Sequence, residues 1–500
     1  MYLEVQENAD LSLFRRCKMK NTILLIVFIF TNITLFCQQK GWQTVIEYSE
    51  DLMPMDIRET GNGDFIIAAN VLFQNGVREY SLVYKLNNSG ELLNFSIIED
   101  SLQSLNIFSI DIIENDLLNV FGSSFDSLTN SNIKLLKYKL NADLEILKEN
   151  SHVILPELRF DGLFAKSEDN SEFLYYGSVF LTNNRFTSCV AQFDSAFNLL
   201  KWSMPDADNL GIYFDLKKLN DSSYWALKVF PWRFEILDSS FNIRDYSVMP
   251  NQMLGNSSCK WVNDSTFYLI GENAGPPPGH NIALMKQFHP IDTIGHLFRM
   301  WHHTDTIDFP SLWKGIDFKH PDSLFAGGTH NMSLNNPYFG YQPSWFVVFQ
   351  TDSMLNPRWE RFYGGDAYYL MTNLKATQDG GCLIGGTRFH YGGTKANKRD
   401  IFLLKLNSEG LLTGQVEMPE FQMREAIVYP NPGSQLHIRL AMQHPKAQLQ
   451  LFDQAGRLVL QQQLHQTEST VETRHLPAGV YLYHLTAPTG LNESGKWVKE

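Results

Sequence analysis

A polar turn followed by a short apolar run recurs seven times along this chain. The turns are Gly63-Asp64, Asn115-Asp116, Asp169-Asn170, Asp221-Ser222, Asp264-Ser265, Asp322-Ser323 and Asp379-Gly380. The runs that follow begin at Phe65, Leu117, Phe173, Tyr224, Phe267, Leu324 and Cys382. A period of roughly fifty residues is that of a propeller blade or a similar array unit. A second pattern interleaves with the first: an apolar strand ends in an Asn, Asp, Ser or Gly turn, and another short strand follows. Its clearest copies are Leu82 to Gly90 and Phe402 to Gly410. These residues suit tight turns because they tolerate left-handed backbone or hydrogen-bond to it. No window carries a helical period, and hairpins at even spacing argue for an all-β array.

Each unit therefore reads as four strands, A to D. In the last copy these are Tyr368–Ala376, Cys382–Thr387, Ile401–Leu406 and a strand near Leu411–Val416. Seven such units suit a closed ring, which leaves no open sheet edge to aggregate. The segment Trp42–Tyr48 resembles an outer strand D and is expected to complete the last unit's sheet or to pair nearby. The expected fold is all-β: a seven-bladed β-propeller over 40–418, then a small immunoglobulin-like β-sandwich over 424–500. The composition agrees. Of 500 residues, 44% are apolar and 19% charged, enough hydrophobe for a large core and too little charge for a disordered chain. A net charge of -13 argues against nucleic acid, which needs clustered Lys and Arg.

The first 37 residues read as a secretory signal peptide. Arg15, Arg16, Lys18 and Lys20 precede the apolar run Ile23 to Phe30, which is too short and too interrupted to span a membrane. Met19 is the better start. Cleavage is expected between Cys37 and Gln38. Lipidation of Cys37 is the rival reading, and bulky Phe36 argues against it. No transmembrane segment is expected in the mature chain. Its three cysteines, Cys189, Cys259 and Cys382, form no C-x-x-C pair, so neither a disulfide framework nor a zinc knuckle is implied. Cys189 and Cys382 lie in apolar runs and read as small buried hydrophobes.

After Glu417-Met418-Pro419-Glu420 the pattern changes. Tyr429-Pro430-Asn431-Pro432 opens a new segment, Asp453-Gln454-Ala455-Gly456-Arg457 makes a hairpin turn, and Leu476-Pro477-Ala478-Gly479-Val480-Tyr481 makes another. Short alternating strands with regular turns read as a β-sandwich. These three motifs, in this order, resemble the type A C-terminal sorting domain of the type IX secretion system. The matching residues are Tyr429, Pro430, Asn431, Pro432, Asp453, Gly456, Arg457, Leu476, Gly479 and Tyr481. The resemblance implies an immunoglobulin-like sandwich read by the outer-membrane translocon of a Gram-negative cell. A sortase then removes it, and the cargo is released or joined to surface lipopolysaccharide. Upstream, Trp359 to Asn407 resembles the degenerate propeller repeats of proteins that use this route, which implies a fold and not an activity.

Chemistry is harder to find. The chain has no nucleophile elbow, phosphate-binding loop, H-E-x-x-H or dinucleotide fingerprint. Asp206 to Gly211 opens like a calcium loop, but Leu210 and Lys217 stand where ligands belong. His302-His303 looks like a metal pair, yet adjacent strand residues face opposite ways and could not hold one ion. Asp366 and Asp379 are acidic residues of the kind a glycosidase pairs, and Asp379 is better explained by its turn. No catalytic residue, metal site or cofactor is expected. Loops B–C vary most: one holds Pro276-Pro277-Pro278, another Tyr338-Phe339-Gly340-Tyr341, and Arg388–Asp400 is rich in Gly and basic residues. Tyr338, Phe339 and Tyr341 are the candidate ligand contacts, since aromatic loops on rigid scaffolds stack on sugars or pack on partners. Packing against neighbouring loops is the simpler account of the same rings. The expected protein is a secreted or cell-surface binding or adhesion module for glycan or protein, not an enzyme. The alternative is a secreted polysaccharide hydrolase or lyase with acidic residues at the channel.

Overall fold

The computed structural model describes residues 41–500 apart from 73–78, 101, 114–116, 127, 130, 154–158, 169–171, 182–184, 206–209, 251–252, 254, 276–278, 304–305, 393–397, 413–425, 430–432, 441–443, 455 and 489–490. The expected signal peptide, the calcium-like Asp206–Asn209, the Pro276–Pro278 loop and the motif residues Pro430, Asn431 and Pro432 lie outside the described residues, as do the turns at 115–116 and 169–170. Every regular element among the described residues is a strand.

Seven antiparallel sheets fill residues 42–406. Six are built in chain order, from Asp51–Glu59, Ser104–Ile112, Arg159–Glu168, Ile212–Asn220, Gly255–Trp261 and Asp308–Pro310 as first strands. The sixth sheet carries an extra two-residue strand, Ile316–Asp317, beside its second strand. In the seventh, Tyr368–Ala376, Cys382–Phe389 and Arg399–Leu406 are joined by Trp42–Ile46, which pairs Trp42 with Lys405 and Ile46 with Ile401. The N-terminal strand thus takes the outer place for which Leu411–Val416 is the other candidate. Leu411 and Leu412 lie beyond the last turn in no strand, and residues 413–416 lie outside the described ones.

The apolar runs are continuous because each sheet is buried on both faces. Ile66 packs with Leu105, Ile107 and Val120 of the second sheet, whereas Ile67 packs with Leu383 and Leu403 of the seventh. The same alternation repeats at Leu174 and Tyr175, and at Phe267 and Tyr268. Seven apolar cores result, each shared by consecutive sheets, and the one shared by the seventh and the first completes the circuit. The architecture is propeller-like.

The turns that follow the third strand are nearly identical in six sheets. Asn87, Asn141, Asp194, Asp238, Asp352 and Asn407 each accept the amide of the residue four positions on. The residue before that amide has positive φ. At four turns it is Leu144, Phe197, Phe241 or Leu355, plugged into the core; at two it is Gly90 or Gly410. There the plug comes from elsewhere: a Cβ on Gly90 would stand 2.6 Å from the Trp42 ring, and one on Gly410 would stand 2.8 Å from Trp359. Each indole donates to the same turn, Trp42 Nε1 to Asn88 O and Trp359 Nε1 to Ser408 O. Trp42 is therefore the structural equivalent of Trp359, an outer-strand residue.

Residues 426–499 form two further sheets, one of three strands (Ala426–Tyr429, Leu436–Leu440, Glu468–Val471) and one of four (Leu458–Leu464, Ala447–Phe452, Gly479–Thr486, Asn492–Lys499). Their inner faces share one core, in which Leu436, Ile438 and Leu440 of the first sheet join Leu449, Leu485 and Trp497 of the second.

Candidate functional site

A cavity of about 300 Å³ lies where the first strands meet. All seven sheets contribute to its lining, among them Arg58, Phe108, Tyr176, Phe214, Lys260, Trp313 and Lys375. The backbone explains the opening. Pairing of first with second strands slips by one residue at Pro54/Asp56, Ile107/Ser109, Phe160/Gly162, Tyr213/Asp215, Asn256/Ser258 and Met371/Asn373. A bulge frees one residue from the ladder and re-aims its side chain. Met55, Phe108 and Phe214 are three such residues, and they line the cavity. In the sixth sheet the slip widens into the excursion 311–315 between the two short strands, which carries Trp313 and Lys314 inward. Trp313 and Lys314 donate their amides to Thr372 O, and Lys314 O accepts from Leu374.

The charges in this cavity are clamped. Asp56 is fully buried and held by Arg58 at 2.9 Å and Lys314 at 2.8 Å, with the Ile110 amide on the same carboxylate. Asp317 lies between Lys260 at 2.8 Å and Lys375 at 2.9 Å. Burial works against both anions, but the paired cations outweigh it and hold Asp56 and Asp317 below the usual carboxylate range. Burial pushes the Lys375 ammonium down to about 8, with Arg58 and Lys260 adding to it and Asp317 opposing. Asp215 accepts from Cys259 Sγ at 2.8 Å. The lining thus alternates aromatic rings with charged donors and acceptors already fixed in place.

A second cluster sits between the fifth and sixth sheets. Asp308 accepts from His330 Nδ1 at 2.7 Å and from His303 Nδ1, and Glu360 Oε1 lies 3.3 Å from His303 Nε2. These carboxylates, Asp308 first, push His303 up to about 10. Its neighbour His302 turns away to Asn281 Oδ1 at 2.7 Å. The two histidines lie just beyond the strand Leu297–Trp301, so strand alternation does not govern them; they take different partners, and His303 meets Asp308 and His330. No spacing in the sequence announces this trio.

The loop carrying Tyr338, Phe339 and Tyr341 springs from the end of the strand that bears His330. Asn331 Nδ2 donates to Pro343 O at 2.7 Å and draws the loop's ends together. Phe339 packs on Phe389, and the Arg399 guanidinium, itself paired to Asp51, lies 4.5 Å from the Phe339 ring centre. Tyr338 and Tyr341 keep 41% and 66% of their surface exposed. Both also touch the anchor, Tyr341 edge-to-face with Phe389 at 5.8 Å and Tyr338 with the Arg399 guanidinium 5.5 Å from its ring centre, so the loop is held through all three rings and leaves two of them partly exposed. Asp366 and Asp379 are both engaged locally, Asp366 by Tyr369 and Arg388, Asp379 by Lys405 and Thr377. Cys189 and Cys382 are buried, as their apolar settings suggest, with no disulfide between them.

In the C-terminal sandwich the motif residues hold its turns and core. Arg457 donates its amide to Asp453 Oδ1 at 3.0 Å and its guanidinium to Oδ2 at 2.7 Å, and Gly456 between them has φ 75°. Tyr481 is buried beside Trp497 and donates to Pro477 O at 2.7 Å. Leu476 packs in the core, and its carbonyl accepts from the Lys499 ammonium at 2.6 Å. Gly479 begins the strand that carries Tyr481, and Tyr429 ends the first strand of the sandwich.

None of the curated proteins matches the chain. Among solved structures, YCF48 from Cyanidioschyzon merolae is 10% identical, with 74% of this chain and 99% of that one covered and a TM-score of 0.42. The phage phi92 endosialidase is 10% identical over 92% of this chain and 87% of its own, with a TM-score of 0.43. A protein of unknown function from Dyadobacter fermentans DSM 18053 is 9% identical over 73% and 98%, with a TM-score of 0.41. Among the described residues no helix is long and apolar enough to cross a membrane. Residues 427–500 match the family described as "Secretion system C-terminal sorting domain", so this segment is a type IX sorting domain, which engages that secretion machinery and directs the chain to the cell surface or the extracellular space.

Proposed function

We propose that residues 40–418 form a closed seven-bladed β-propeller that binds a glycan or protein outside the cell without chemically altering it. Residues 1–37 serve as its leader, and an immunoglobulin-like sandwich over 424–500 is its export signal, read by the translocon and cut by a sortase of a Gram-negative host. The observation that carries the binding reading is the central cavity, where four aromatic rings, Phe108, Tyr176, Phe214 and Trp313, stand among clamped charges. Rings that stack and fixed donors and acceptors are what a polyhydroxylated ligand requires. A glycoside hydrolase needs a carboxyl group that stays protonated to act as general acid. Asp56 and Asp317 are both held as anions by two cations each, and Asp215, the other acid lining the cavity, accepts from Cys259 Sγ; this favours binding over hydrolysis.

The test is a glycan array probed with the mature protein, followed by product analysis on any hit. Retention without cleavage is the expected result, with Trp313→Ala weakening it by roughly 1–3 kcal/mol. Release of shortened saccharide would replace this reading with the hydrolase or lyase. If Trp313→Ala leaves affinity unchanged while Tyr338→Ala with Tyr341→Ala lowers it, the binding surface is the aromatic loop and not the cavity.

A further inference from the structure

We infer that His303, Asp308 and His330 bind one zinc-class divalent transition metal at the junction of the fifth and sixth sheets. Their ligand atoms all lie within 4.8 Å of one another, close enough for one ion to draw them into tetrahedral bonds of about 2.0–2.2 Å. The donor set is two imidazoles and one carboxylate, which suits zinc and its neighbours and not calcium or magnesium, whose sites are built from oxygen. The backbone fixes the trio: Asp308 and His330 stand directly opposite each other in adjacent strands. Asp308 is almost wholly buried, and the two rings keep only 25% and 16% of their side-chain surface. The Phe362 edge lies against both imidazoles, 5.3 and 4.9 Å between ring centres.

A second observation points the same way. Glu360 Oε1 is buried, and it faces the far nitrogen of His303. A carboxylate on the outer nitrogen of a histidine is the usual means of fixing a metal-bound ring and raising its basicity. On binding, each ring gives up its Nδ1 proton, to solvent or to Nε2, and Glu360 accepts the Nε2 proton of His303. Three protein ligands leave a fourth position for water or a ligand atom. His330, one of the three, is the last residue before the loop bearing Tyr338 and Tyr341.

The untagged mature protein is stripped with a chelator, desalted and titrated with zinc by calorimetry. Cobalt is then added to a second sample to read the visible absorption of a tetrahedral site. One equivalent of zinc and a tetrahedral cobalt spectrum are expected. His303→Gln and Asp308→Asn should abolish both, and Glu360→Gln should weaken zinc binding about 10-fold or more. His302→Gln should leave the stoichiometry at one. A folded wild-type protein that takes up no zinc overturns the inference, as does uptake unchanged in Asp308→Asn. Should Asp308→Asn fail to fold, the wild-type titration and the Glu360→Gln variant still decide: unchanged affinity in Glu360→Gln together with no cobalt spectrum rejects the site.

Discussion

At the scale of single residues, the cavity charges make two measurable statements. Asp317 neutralises two lysines at once, so Asp317→Asn leaves both facing each other without an anion. Removing one member of a buried ion pair costs about 3–5 kcal/mol. Lys260 and Lys375 keep some solvent contact, which places the expected loss near the lower end, read as a fall in the urea midpoint. Lys375 gives the second. The folded protein releases this proton near pH 8, whereas an unfolded chain holds it to about 10.4. Between those values the unfolded state binds more protons, so this group's contribution to stability rises with pH. The stability of the wild type relative to Lys375→Met should therefore increase from about pH 7.5 to about pH 10. A flat or falling difference in paired urea titrations would refute the assignment. Gly410 makes the third statement. With φ 70° and the Trp359 ring 2.8 Å from where a Cβ would stand, Gly410→Val should destabilise by about 1–3 kcal/mol, and Trp359→Ala should relieve part of that loss in the double variant.

At the scale of elements, Trp42–Ile46 is the piece on which the seventh sheet depends. Its five residues pair along Arg399–Leu406, and Trp42 and Ile46 enter the core shared with the first sheet. A chain beginning at Asp51 should expose that edge and aggregate, seen as a loss of the monomer peak in gel filtration. An unchanged monomer with unchanged melting would contradict this role. The strand was legible in the sequence because Trp42–Tyr48 resembles an outer strand D. The apolar runs were legible for a similar reason: strands packed on both faces write themselves as unbroken hydrophobe. The bulges were not. Which residue slips out of a ladder depends on its partner strand, so nothing in the sequence sets Met55, Phe108 and Phe214 apart. The histidine trio was hidden by the same gap. Asp308 and His330 become neighbours only through strand pairing, and the visible signal, His302-His303, contains one ligand and one bystander.

At the scale of the whole molecule, two parts with different tasks follow one another. The sorting motifs were legible because Asp453, Gly456 and Arg457 form one local turn whose bonds span four residues. The ligand was not, because the cavity collects residues from every one of the seven sheets. Deleting residues 424–500 in the native host should leave the remaining protein in the periplasm, measured by fractionation and immunoblot. Normal surface or medium levels would refute the sorting role.

The pairing of Trp42–Ile46 with Arg399–Leu406 also sets an order of events. The two strands are roughly 350 residues apart, and joining such distant points costs on the order of 5 kcal/mol in chain entropy. This is a contact of very long range, the kind that forms slowly. Six sheets need only their own local hairpins, whereas the seventh waits for the beginning of the chain to find its end. The first strand among the described residues is thus held in reserve until Arg399–Leu406, the last strand before the sorting segment, appears. Only after Leu406 does the sorting segment follow, so any chain that carries the export signal already contains both halves of the clasp. A chain ended before Arg399 lacks both the clasp's second half and the signal, so the order of the sequence keeps such truncated chains off the export route.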